Sequence, residues 1–130
     1  SMYPAAVQWI SWRLTESSET EDMALPYRTP KFAFSQPRRL PKEITLRPDE
    51  TYTINGWYVA SQRIPVHYTL NGEVREADYV QRPDLDKDYR DYPHRTGWRI
   101  VLKGNALAPK NTLVISFNGE DRTKTTSLVK

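Results

Sequence analysis

The residues best equipped for chemistry crowd into one stretch of this chain. Arg82, His94 and Arg95 offer planar hydrogen-bonding groups, and Tyr89, Tyr92 and Trp98 offer aromatic rings. Surfaces that hold sugars set ring faces against C–H groups and fix hydroxyls with a few polar side chains, so these six are candidate ligand-binding residues. The same three rings would serve equally well as core, sealing one end of a β-sandwich. Asp84, Asp86 and Asp88 alternate as in a calcium loop. That loop needs Gly at its sixth position and a bidentate Glu at its twelfth, where this chain has Tyr89 and Arg95. The acidic residues suit the start of a helix better, where they complement its dipole. Asp84-Leu85-Asp86 also fits the Asp-x-Asp pattern of metal-dependent glycosyltransferases, but the chain has no room for a nucleotide-binding α/β domain.

Other catalytic patterns are missing from the chain too. His67 and His94 fall on different segments without the pattern that joins a nucleophile to a base, and two histidines with no cysteine are too few for a zinc site. Gly-rich phosphate loops, Gly-x-Ser-x-Gly and His-Glu-x-x-His are absent. The expectation is a chain with no catalytic centre, no metal and no cofactor. Arg38-Arg39, with Lys42 and Lys31, lies close to Phe32 and Phe34, a mixture of cations and rings that can grip single-stranded nucleic acid. Pro37 and Pro41 make the segment read as a solvated connector, and nineteen Lys and Arg against sixteen Asp and Glu give a net charge of only +3. Nucleic acid is therefore the weaker candidate partner.

These side chains must be positioned by a small scaffold. A length of 130 residues suits one domain. The hydrophobic fraction is only 38%, but four Trp, eight Tyr and three Phe supply an aromatic-rich core. The lack of cysteine fits a reducing compartment, so the expected location is the cytoplasm. No run approaches the roughly 20 apolar residues of a membrane span, and the N-terminus lacks the order of a signal peptide. Ser1-Met2 reads as a remnant ahead of a start Met, and the chain as a piece of a longer protein.

Residues 6 to 14 match helical spacing at Val7, Ile10 and Leu14 but suit a strand by their β-branched and aromatic content, which tips the reading to strand. A polar connector follows, interrupted by Pro26 and Pro30. Residues 1 to 40 are thus an N-terminal strand plus connector, docked on a sandwich domain of residues 41 to 130. Extended runs are expected at Lys31 to Ser35, Glu43 to Leu46, Thr51 to Ala60, Ile64 to Leu70, Glu73 to Val80, Gly97 to Lys103 and Thr112 to Asn118. Ser127 to Val129 is an added edge. Asn71-Gly72 tolerates the positive φ of a two-residue hairpin, and Arg47-Pro48-Asp49-Glu50 and Ala108-Pro109-Lys110-Asn111 are turns. Leu85, Tyr89 and Tyr92 follow helical spacing before Pro93, predicting a short helix over 84–92 that crosses between sheets. Its expected cap is Asp84, and Gly97 is expected to let the chain turn into the next strand. The predicted fold is all-β, an immunoglobulin-like antiparallel β-sandwich of about seven or eight strands.

Gly56-Trp57-Tyr58-Val59, Ile64-Pro65-Val66, Asn71-Gly72, Arg82-Pro83-Asp84-Leu85, Tyr92-Pro93 and Gly97-Trp98-Arg99-Ile100 follow one another in an order that resembles a β-sandwich accessory domain. That domain is found beside glycosyltransferase and methyltransferase domains in bacterial surface-polysaccharide proteins. Leu85, Tyr92 and Trp98 stand where the pattern has Val, Phe and Phe. The resemblance covers residues 52 to 118 and defines no binding residues. It implies a non-catalytic accessory module of a glycan-biosynthesis protein, contacting the saccharide chain or packing on a neighbouring catalytic domain. The alternative is a purely structural or protein-interaction sandwich.

Overall fold

The computed structural model describes residues 26–117 and 123–130. The apolar run Val7 to Leu14, expected to dock as a strand, and most of the polar connector after it lie outside the described residues. The described residues form nine strands in two facing sheets, an all-β sandwich. In chain order these are β1 (Lys31–Gln36), β2 (Glu43–Thr45), β3 (Thr51–Ala60), β4 (Val66–Leu70), β5 (Glu73–Glu76), β6 (Asp78–Val80), β7 (His94–Lys103), β8 (Lys110–Phe117) and β9 (Lys124–Val129). One sheet runs β1-β3-β7-β6 and the other β2-β9-β8-β4-β5. All pairings are antiparallel except β2 with β9.

The two-residue period of a strand sends alternate side chains to opposite faces, and β3 and β7 read that way. Ile54, Tyr58 and Ala60 of β3 face Ile100 and Leu102 of β7 in the core, with Leu113, Ile115, Phe117 and Leu128 from the opposite sheet. Two Gly-Trp dipeptides explain the centre of the first sheet. β3 and β7 run antiparallel with Gly56 opposite Trp98 and Trp57 opposite Gly97, so each indole stands across from a glycine and the two point to opposite faces. Trp98 fills the inner face, where a Cβ on Gly56 would come within 2.5 Å of its ring. Its ring packs edge-on against Phe34 at 5.2 Å and tilted against Phe117 at 5.4 Å, and Phe32 stacks on Phe117 at 4.6 Å.

Several expectations need correction. The single run Glu73 to Val80 is two strands, because the chain passes from one sheet to the other at buried Ala77, whose N–H donates to the Val66 carbonyl. Tyr79 locks this crossing: its hydroxyl accepts from the Val66 N–H at 3.0 Å and donates to a Glu76 carboxylate oxygen at 2.5 Å. Burial, and then that bond to Glu76, push its phenol up to about 12. The expected helix is the single turn α1 (Leu85–Asp88), and it crosses nothing, since it joins the adjacent strands β6 and β7 of one sheet. Asp84 makes no side-chain cap. Gly97 does not start β7, which begins at His94 where Ala60 is the partner. Ser127 to Val129 is no edge, because β9 lies between β2 and β8.

The turns agree with their residues. Asn71 and Gly72 have φ of 52° and 86°, the left-handed pair a tight hairpin requires. Asn71 also donates to Asn111 Oδ1 and accepts from the Thr112 N–H, tying the hairpin to β8. Asn111 bonds both the N–H and the carbonyl of Ala108, and Glu50 closes its turn on Arg47.

Candidate functional site

The outer face of the four-stranded sheet carries the candidate residues. Odd-numbered side chains of β3 point there, and the segment from Arg82 to Pro93 folds back over its upper half. Val59, Leu85 and Tyr92 form a small second core, with Trp57 and Tyr89 packed at its margin. The Trp57 and Tyr89 rings lie 5.2 Å apart, tilted by 41°, and Tyr89 meets Tyr92 edge-on at 6.1 Å. Two cations stand over this group: Lys31 Nζ is 5.6 Å from the Tyr89 ring centre and the Arg28 guanidinium 6.0 Å from that of Tyr92. Arg28 also pairs with Asp91 at 3.3 Å.

Both candidate arginines brace the loop. Arg95 projects from β7 opposite Val59, donates Nε to Asp86 at 2.8 Å, and donates through one terminal nitrogen to the carbonyls of Tyr92, Arg90 and Tyr89. A planar guanidinium suits this task, because its fork serves several acceptors at once. Arg82 grips Asp84 with two parallel bonds of 2.9 and 2.8 Å and reaches Ser35 on β1 at 3.3 Å. Its stem crosses Gly97, where a Cβ would lie 2.6 Å from Arg82 Cγ. The bonds from Arg82 hold the Asp84 carboxyl below its ordinary range. Asp84 and Asp86 are thus drawn to separate arginines and do not converge as cation ligands. Between the braces lies a shallow cavity of about 290 Å³ lined by Gln81, Arg82, Pro83, Asp86 and Arg95.

Five of the six candidates therefore lie around one loop, and the sixth does not. Tyr89, Tyr92 and Arg95 are interlocked, Arg82 holds the start of the loop through Asp84, and half-buried His94 begins β7. Trp98 is 0% exposed on the inner face, because three residues along a strand from Arg95 is the opposite side. It is core and offers no ring to a ligand. Tyr92 is 8% exposed and offers little surface to a ligand. Trp57 is the ring that sequence reasoning left out of the site. Its signal was its place next to Tyr58, since only one of two adjacent strand residues can face the core.

His67 stands on the outer face of the other sheet, opposite Glu76 and Ser116 and away from His94. Arg38 and Arg39 are exposed, and with Phe34, Leu40, Lys124 and Thr125 they line a cavity of about 320 Å³. Among the described residues no helix is long and apolar enough to cross a membrane. No protein-family model matches the chain, and no curated protein matches it.

Proposed function

We propose that this chain is a non-catalytic accessory module of a glycan-assembly protein, and that it associates with the saccharide chain. The observation that supports this reading is the Trp57–Tyr89 ring pair, held on an outer sheet face by a loop braced through the Arg82–Asp84 and Arg95–Asp86 pairs. A rigid sandwich with such a face can position a polymer without contributing a reacting group. The order of motifs that resembles accessory domains of surface-polysaccharide proteins points the same way.

A second reading, a structural or protein-interaction domain, is favoured by the burial of Trp98 and Tyr92 and by the internal bonding of Arg82 and Arg95. A glycan array separates the two. Retention by one class of saccharide, with no turnover of it, is the expected result. Absence of binding across the array leaves the structural reading in its place. Salt-sensitive binding to oligonucleotides, lost on reversing the charges of Arg38 and Arg39, would instead revive nucleic acid as the partner.

A further inference from the structure

The loop folds over the upper half of the outer face, and below it the four strands carry a polar row, which a bulge in β1 between Phe34 and Gln36 completes by bringing Gln36 opposite Asn55. Gln36 on β1 is the register partner of Asn55 on β3, Asn55 is the partner of Arg99 on β7, and Arg99 is the partner of Asp78 on β6. The row spans three inter-strand spacings, about 14 Å. One row down, Thr53 and exposed Val101 lie side by side, and Thr51 and Lys103 follow. One row up stands the half-buried Trp57 ring. Gln36, Asn55, Thr51 and Thr53 border a depression of about 450 Å³ together with Pro37 and Tyr52.

The charges that brace the loop and the polar groups of the row below it are used differently. Arg82, Arg95, Asp84, Asp86, Arg28 and Asp91 are engaged with one another or with backbone carbonyls. Among the described residues, Gln36, Asn55, Arg99 and Asp78 make no side-chain hydrogen bond or ion pair, although they share a face and a row. Two amides, a guanidinium and a carboxylate supply both donors and acceptors along the row, which suits a run of hydroxyl groups. Arg99 and Asp78 offset each other, which suits a hydroxyl-rich chain better than a polyanion. The half-buried Trp57 ring bounds the row on its loop side and adds an apolar face to it.

We infer that a saccharide chain lies across the strands on this open half, hydrogen-bonded by Gln36, Asn55, Arg99 and Asp78 and flanked by Trp57. The inference rests on the glycan-associated reading above and places its contact surface away from the α1 loop. The test uses the full chain and an array of defined neutral and uronic-acid-bearing oligosaccharides, followed by titration and amide shift mapping with the best binder. Asn55→Ala with Arg99→Ala is expected to weaken binding about tenfold or more while the thermal melt stays in place. Gln36→Ala, at an exposed site, gives the same direction should the pair disturb folding. The wild-type shifts should fall on β1, β3 and β7, and neutral chains should bind at least as well as acidic ones. Unchanged binding in all three substitutions, or shifts confined to the α1 loop, would overturn this surface and leave the glycan reading intact. A wild-type chain that binds nothing on the array overturns the glycan reading, and this surface with it.

Discussion

At the scale of single residues, the two Gly-Trp dipeptides are the clearest link from sequence to structure. Gly97 is needed because Arg82 and Val80 lie across it: a Cβ there would sit 2.7 Å from Val80 Cγ2 and 2.9 Å from the Val80 carbonyl oxygen. Gly97→Ala should therefore cost about 1–3 kcal/mol in urea unfolding, as overpacking does. Trp98→Ala should cost about 3–5 kcal/mol, because the indole is wholly buried against Phe34 and Phe117. Trp98→Phe should cost less. The indole N–H is buried with no partner among the described residues, so its removal recovers part of the lost packing.

At the scale of elements, the loop around α1 is held by arginine bonds and a three-residue apolar cluster, a modest set of contacts. Arg95→Met keeps the stem and removes the fork. We expect faster amide exchange at Tyr89 and Tyr92, whose N–H groups bond within the loop, with little change at β3. The Arg82–Asp84 pair has a pH signature. A carboxyl whose folded pKa is depressed stabilises the fold above its unfolded value, near pH 4, and that stability is lost as pH falls through the folded pKa. The melting temperatures of wild type and Asp84→Asn should therefore differ at neutral pH and converge in acid. The gap should be small, because Asp84 is solvent-exposed and its pair is screened.

At the scale of the whole molecule, the connections are long-range. β2 pairs with β9 across most of the chain, Glu43 opposite Ser127, and β1 pairs with β3 around the segment that carries β2. Loop closure precedes the gain from such contacts, so refolding measured by stopped flow should fall in the millisecond-to-second range of all-β sandwiches.

The all-β class, the turns at Asn71-Gly72, Arg47 to Glu50 and Ala108 to Asn111, and most strand runs could be read from the chain alone. Their signals are local: period-two alternation, β-branched and aromatic content, and residues that tolerate positive φ or bond to nearby backbone. Pairing is not local. Only the folded chain decided that the run after Gly72 divides at Ala77 between two sheets, that α1 joins neighbouring strands, and that Lys124–Val129 is an interior strand. The same limit governed the candidate site. Proximity in sequence gathered Arg82, Tyr89, Tyr92, His94, Arg95 and Trp98, but the strand period turned Trp98 inward. The antiparallel register then set Trp57 beside Tyr89 and lined up Gln36, Asn55, Arg99 and Asp78 from four strands. Which residues share a face follows from local periodicity, whereas which strands lie side by side follows from burial of the whole core.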